Sequence, residues 1–339
     1  MDAPPIRYVR TRDSFDIAYS DTGKGVPVVW MPYVWTNQQT QWQTRYGPVL
    51  RSIASEYRLI TYDGRGQGCS TRGLPDTFSL YDCESDLEAV VDALKLERFF
   101  VFSHYFYGHI ALRYAARNPE RVAGLMLRDT SVDYASSAHF IQLAEADWDS
   151  LVGMLALLWF PGEHIDTGRN EILKATSRDD WMRLCRAACT SRLEEEDVAL
   201  PILLMSSTNH IEHTDRSART IASSIPGSRV VTYPTVNALW SGQSGDPPPD
   251  WLTATRDFLH ELSPPAPVNE APPAGLQLLT AREQEILRLI AGGRSTREIS
   301  KELVLSERTV GRHITNLYGK LGIRSRSEAT AFAIRNGLS

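Results

Sequence analysis

The segment Ser263–Gly275 reads SPPAPVNEAPPAG, and five of its thirteen residues are proline. Proline fixes φ and removes a backbone donor, so this stretch can neither continue a helix nor enter a sheet interior. It reads as an extended linker, and the residues before it must fold apart from those after it. With 339 residues, the chain is long enough for a large domain before the linker and a small one after it. The expected boundaries are 1–262, 263–275 and 276–339.

Charge divides at the same place. The net charge of −5 argues against nucleic acid when taken over the whole chain. From Gly275 to Ser339, however, 11 Lys+Arg stand against 6 Asp+Glu, which leaves 25 against 35 in residues 1–274. A basic tail on an acidic body suggests a nucleic-acid-binding module.

The start, MDAPPIRYVR, has no apolar core of the kind a secretory signal needs. The longest apolar run, Leu151–Phe160, is ten residues and too short to span a bilayer. Cys69, Cys83, Cys185 and Cys189 make no disulfide framework in a chain this long. Cys185 and Cys189 lie one helical turn apart, but no further ligands sit at a finger-like spacing, so they read as thiols and not as a metal site. The expectation is a cytoplasmic protein with no metal, no cofactor and no membrane partner.

Before the linker, apolar runs alternate with amphipathic stretches. The runs are Val26–Met31, Arg58–Asp63, Arg98–Ser103, Val122–Asp129, Pro201–Ser207 and Arg229–Pro234. Near-continuous apolar strands are expected in a parallel sheet covered on both faces. The helical stretches Ser79–Leu96 and Tyr107–Val122 between them complete an α/β pattern. A block from about Tyr134 to Ala199 interrupts the alternation and reads as an all-helical cap. After the linker the pattern is wholly helical. It has four short elements: one from Leu279 to a Gly-Gly stop, Ser295–Val304, Ser306–Gly322 with Ser306 as N-cap, and one capped by Ser325 or Ser327.

Ser295–Val304 and Ser306–Gly322, joined by a very short turn, suit a helix-turn-helix. The second helix carries Val310, Ile314, Leu317 and Leu321 on one face. LTAREQEIL, GGRSTREIS, LSERTV, HITNLYGKLG and SRSEA, running from Leu279 to about Leu338, resemble the LuxR/NarL (GerE-like) DNA-binding domain. That resemblance implies a helix in the major groove, with Gly311, Arg312 and Thr315 facing bases and Arg308, Thr309, Asn316 and Lys320 contacting phosphate. Gly311 departs from the Lys or Arg usual in this family, so direct readout falls to Arg312. The last helix is implied as a dimerisation face.

YDGRGQGCS (Tyr62–Ser70) and FVFSHYFYGHIALRYAARNPERVAGLML resemble the α/β-hydrolase fold, over about residues 6–262. The elbow G-x-S-x-G of that family aligns with Ser103-His104-Tyr105-Phe106-Tyr107. Tyr105 takes the nucleophile's place, and a phenol is a poor acyl nucleophile. Tyr107 in place of the second glycine implies a looser turn. His104 aligns with a residue that is a hydrogen-bonded support, and Ser103 reads as structural. His210 occupies the catalytic acid's place after the Pro201–Ser207 strand, and Asn237-Ala238 the base's. Met31-Pro32 replaces the His-Gly of the oxyanion segment, and Pro32 has no N–H. Asp63 matches a structural position. His210, Glu212 and His213 resemble a ligand cluster but read as an ordinary polar loop.

The resemblance thus implies an α/β-hydrolase fold with a helical cap whose family triad is replaced. Tyr33, Trp35, Tyr105, Phe106, Trp159, Phe160 and His210 would line a pocket for a small apolar or aromatic ligand, although the rings could instead fill it. The partners implied are a double-stranded DNA operator, a small-molecule effector, a second copy of the chain and RNA polymerase. Two other readings stay open at this point, a hydrolase with rewired residues and a hydrolase-like domain used only as a dimerisation scaffold.

Overall fold

A computed structural model describes residues 3–33, 37–43, 46–160, 164–193, 198–208, 214–234, 250–263, 279–323 and 325–335. The chain divides into two compact units, Met1–Ala266 and Pro267–Ser339. Among the described residues, no helix is long and apolar enough to cross a membrane, and no group of three or more His, Cys, Asp or Glu could hold a metal ion.

Among the described residues, the first unit is built on eight strands: β1 (Arg7–Arg10), β2 (Asp16–Thr22), β3 (Pro27–Trp30), β4 (Arg58–Tyr62), β5 (Phe99–His104), β6 (Val122–Arg128), β7 (Ile202–Ser207) and β8 (Arg229–Tyr233). They form one sheet in the order β1-β2-β4-β3-β5-β6-β7-β8. The pairs β1–β2 and β2–β4 are antiparallel. From β4 to β8 every pair is parallel. The helices are α1 (Gly47–Ala54), α2 (Cys83–Ala93), α3 (Tyr107–Arg117), α4 (Ala138–Ala146), α5 (Trp148–Trp159), α6 (Ile165–Ala175), α7 (Arg178–Thr190), α8 (Thr214–Ser224) and α9 (Asp250–Leu262).

Alternation along β5 explains the layers. Phe99 and Val101 join the apolar cluster of α2 and α3, while Phe100 and Phe102 join that of α1 and α9. A central parallel strand is buried on both sides, which is why its sequence shows no polar face. Helices α4–α7 occupy the stretch read as a cap, and their Ile141, Leu151, Leu155, Ile172 and Trp181 belong to the same cluster as α2 and α3. Loop 64–74 ties this segment to the strand ends. The Gly68 N–H donates to the Ala175 carbonyl, and Asp180 Oδ1 accepts from the Leu74 N–H at 2.7 Å.

The second unit contains α10 (Ala281–Ala291), α11 (Thr296–Glu302), α12 (Glu307–Leu321) and α13 (Arg326–Arg335). Ile286, Leu287, Ile290, Ile299, Val310, Leu317, Ala329 and Ala333 form its core. Local chemistry sets each start. Thr280 and Ser295 close capping boxes with Glu283 and Glu298, and Ser306 accepts from the Thr309 N–H. Ser325, not Ser327, caps α13, accepting from the Glu328 N–H at 3.1 Å. Gly322, at φ 67°, ends α12 in the left-handed region that favours glycine.

Candidate functional sites

The first site lies where β5 turns into α3. His104 ends the strand, Tyr107 begins the helix, and Tyr105 between them has φ 48°. A side chain other than glycine in this left-handed region costs about 1–2 kcal/mol. It persists where its surroundings over-determine it. Here the Tyr105 N–H donates to the Arg128 carbonyl at 3.1 Å, and the Gly108 N–H donates to the Tyr105 carbonyl at 2.9 Å. The looser turn expected from Tyr107 is therefore not found. The glycine that permits close approach is Gly108, one residue further on. A Cβ there would lie 2.2 Å from Thr130 Oγ1. Tyr107 is accommodated because its ring extends over the bare Gly64, where its hydroxyl donates to Gln67 Oε1 at 3.2 Å.

The rings expected at the strand ends come together in part. Tyr33, Tyr105 and Phe106 are buried in one apolar cluster, with Tyr33 and Tyr105 centroids 5.6 Å apart and Phe106 edge-on to Tyr134 at 6.0 Å. Phe160, half-buried, packs on the same cluster. Trp159 is the last residue of α5, but its side chain lies outside the described residues, as do Trp35, His210, Glu212, His213, Asn237 and Ala238 entirely. Met31 is buried in the cluster, and Pro32 is buried beside it.

His104 is not the hydrogen-bonded support expected. It is 1% exposed, and neither ring nitrogen has a hydrogen-bond partner among the described residues. Instead it sits among the rings of Phe102, Tyr33 and Trp30, at centroid distances of 4.9, 5.3 and 5.6 Å. Burial, and then the nearby Arg128 charge, hold its pKa well below the usual histidine range, so it is neutral. Ser103 is fully buried, and its hydroxyl has no hydrogen-bond partner among the described residues. His109 is bonded, with Nε2 2.7 Å from the Ser131 carbonyl.

Sequence reasoning misses a buried charged pair beneath this site. Arg128 ends β6 and Asp129 follows it, at 3% and 1% exposure, with Arg128 Nε 3.7 Å from Asp129 Oδ2. Tyr233 bridges them, accepting from Arg128 Nε at 3.0 Å and donating to Asp129 Oδ2. Asp129 Oδ1 accepts from the Ser207 N–H at 2.8 Å and from the Thr214 hydroxyl at 3.2 Å. The Arg128 guanidinium lies over the Trp251 ring, 4.4 Å from its centroid. Asp129, with both oxygens engaged, pins β6 to β7, α8 and β8. Two opposite charges ending an apolar strand were the available signal, since a strand between two parallel neighbours buries them and each then needs a partner.

Asp63, at the end of β4, is fully buried. It accepts from the Gln38 N–H at 3.0 Å and the Cys69 N–H at 2.8 Å. Burial raises its pKa to about 7 against these bonds. Its carboxylate occupies the space over Gly68, where a Cβ would meet Asp63 Oδ2 at 2.1 Å. This position organises loop 64–70, in keeping with the structural position its sequence matches. Cys185 and Cys189 are half-buried.

The second site is the surface of α12. Arg308, Arg312, Thr315, Asn316 and Lys320 are exposed, while Thr309 and Gly311 are half-exposed. Arg308 and Arg312 make no ion pair or hydrogen bond among the described residues. Lys320 is held within the unit, its Nζ 2.7 Å from the Oε2 of the buried Glu283 on α10. Thr309 Oγ1 lies 2.8 Å from Ser306 Oγ as part of the cap.

Comparison with known proteins respects this division. Residues 277–333 match the family of bacterial regulatory proteins, luxR family, and residues 37–155 match the α/β hydrolase fold. The spore germination protein GerE of Bacillus subtilis is 45% identical over 60 residues, which are 18% of this chain and 81% of GerE. The chain belongs to the LuxR family of bacterial regulatory proteins. The transcriptional regulatory protein LiaR of the same organism is 48% identical over 60 residues, but the match spans only 28% of LiaR. Among solved structures, a thermophilic esterase from Thermogutta terrifontis superposes with a TM-score of 0.61 at 20% identity, covering 76% of this chain and 99% of the esterase. That likeness establishes the α/β-hydrolase fold. This LuxR-family chain is a DNA-binding transcriptional regulator by its second unit and carries a hydrolase fold in its first.

Proposed function

We propose that this chain is a one-component transcriptional regulator whose α/β-hydrolase-like domain, residues 1–262, senses a small molecule without performing acyl transfer. The observation that carries the reading is Tyr105. The strained elbow is retained, yet the side chain it presents is a buried phenol packed among Tyr33 and Phe106. A phenol with an ordinary pKa near 10 is a weak acyl nucleophile. Pro32 removes one N–H from the oxyanion segment. Asp129, the carboxylate at the end of β6, is engaged on both oxygens by structural partners.

The effector is a small apolar or aromatic compound held by Tyr33, Tyr105 and Phe106 near the strand ends, Trp159 and Phe160 on the cap segment, and Trp35 and His210. In the C-terminal domain, residues 276–339, Gly311, Arg312 and Thr315 of α12 face bases, and Arg308, Thr309, Asn316 and Lys320 face phosphates of a double-stranded operator. The protein acts in the cytoplasm as a homodimer that engages RNA polymerase. Effector binding shifts the population between arrangements with different operator affinity.

The test is a thermal-shift screen of aromatic acids, lactones and terpenoid-like compounds on the full chain, followed by operator binding with each hit. A compound that raises stability, alters operator affinity and loses both effects in Tyr105→Ala supports the reading. Stabilisation that never reaches operator affinity, or no stabilising compound, removes the sensor role. On DNA, Arg312→Ala should cost about 1–3 kcal/mol on the specific site and relax base preference.

A further inference from the structure

The outward face of α12 is unevenly furnished. Val310 and Leu317 are buried on one side of the helix. Along the opposite side, at spacings of four, three and four residues, stand Arg308, Arg312, Thr315 and Gly319, all exposed. Two of these are guanidiniums and one has no side chain. Thr315 is therefore the one short uncharged side chain on this face.

Its hydroxyl is already committed. Thr315 Oγ1 donates to the Gly311 carbonyl at 3.1 Å, one turn back on its own helix. With the oxygen turned onto the backbone, the γ-methyl is what Thr315 presents outward. The neighbours one turn away in either direction are Gly311 and Gly319, and a Cβ built on either would meet nothing within 4 Å. At i−4 and i+4 no side chain stands beside the methyl, and the one large neighbour in this row is the flexible Arg312 at i−3.

We propose that Thr315 reads thymine through contact of its γ-methyl with the 5-methyl of the base, and that Gly311 and Gly319 allow the approach this contact needs. The 5-methyl of thymine is the apolar group on the floor of the major groove, so it matches an apolar probe where guanine, adenine and cytosine present donors and acceptors. The flanking Arg308 and Arg312 supply attraction to phosphate and guanine. Thr315 acts as a specificity determinant at one base pair per half-site. The inference rests on the reading that α12 lies in the major groove.

The experiment begins with selection of binding sites from random duplex DNA by the full-length chain. Each thymine of the selected half-site is then replaced singly by uracil, which deletes only the 5-methyl, and affinity is measured by fluorescence anisotropy. The wild-type chain should lose roughly fourfold at one position, the worth of one buried methyl. Thr315→Val, which keeps a methyl and lacks the hydroxyl, should retain that loss. Thr315→Ser, which keeps the hydroxyl and lacks the methyl, should bind thymine and uracil sites alike. Gly311→Leu should weaken the thymine site by more than it weakens random DNA. The proposal is overturned if no thymine responds to uracil, or if Thr315→Ser keeps the discrimination and Thr315→Val loses it. A wild-type chain that shows no salt-dependent binding to any duplex would overturn the major-groove reading itself, a different result from sequence-specific binding without a methyl effect.

Discussion

Tyr105→Ala and Tyr105→Gly, made as a pair, separate the ring from the strain at the elbow. Both remove a buried ring, at about 3–5 kcal/mol for an aromatic-to-alanine truncation. That loss cancels between them. Alanine keeps the left-handed penalty at φ 48°, about 1–2 kcal/mol, and glycine does not. Glycine in turn loses about 0.4–1 kcal/mol through its freer unfolded chain. The net expectation is that Tyr105→Gly is more stable than Tyr105→Ala by about 0.5–1 kcal/mol, opposite in sign to ordinary helix and strand positions. Urea unfolding followed by tryptophan fluorescence measures the difference in the full chain. All eight tryptophans precede residue 263, so the signal comes from the hydrolase-fold domain alone. A Tyr105→Ala protein equal to or more stable than Tyr105→Gly would refute the strained elbow, and with it the claim that the nucleophile turn survives around a phenol.

Tyr233→Phe removes the bridge between Arg128 and Asp129 and should cost about 2–4 kcal/mol by the same fluorescence assay, since it deletes two hydrogen bonds to buried charges; a change under about 0.5 kcal/mol would mean that the pair re-forms directly. For Asp63 the folded pKa of about 7 lies above the ordinary carboxylate value, so its contribution is fully present below about pH 4 and is lost as pH rises through 7. Asp63→Asn should flatten the decline in domain stability between pH 4 and 8; an unaltered slope would place that decline elsewhere. Lys320→Met leaves the buried Glu283 without its cation and should destabilise the C-terminal domain by about 1–2 kcal/mol, read by circular dichroism while tryptophan fluorescence stays unchanged. If Lys320 served only as a phosphate contact, helix melting would not move.

The second domain was legible in sequence almost residue by residue because its determinants are local. Ser295 and Ser306 each cap a helix by bonding an N–H three residues away, and the Gly292-Gly293 stop ends α10 where it stands. Five of the six parallel strands, β3 to β7, were legible because burial on both faces leaves an unbroken apolar run, while β8, an edge strand with Arg229 and Val230 exposed, was legible from its β-branched residues. Strands β1 and β2 gave no such run. Arg7, Tyr8 and Arg10 are exposed on an edge strand, and β2 belongs to the sheet through its antiparallel pairing with β4, some forty residues away. The site was legible at Tyr105, whose alignment needs only the elbow. It was not legible at His104, Gly108 or Arg128. Their roles depend on what stands opposite: rings from β3 and β5, Thr130 beyond β6, and Tyr233 and Trp251 still later in the chain. None of these pairings leaves a local pattern.

The central claim is that a hydrolase fold has been kept without hydrolysis. Its most direct test is incubation of the full-length chain with p-nitrophenyl acetate and butyrate at high protein concentration, beside Tyr105→Phe and Ser103→Ala. The expected result is release of nitrophenol no faster from the wild-type chain than from the two variants. Saturable turnover by the wild type that either substitution abolishes would contradict the claim.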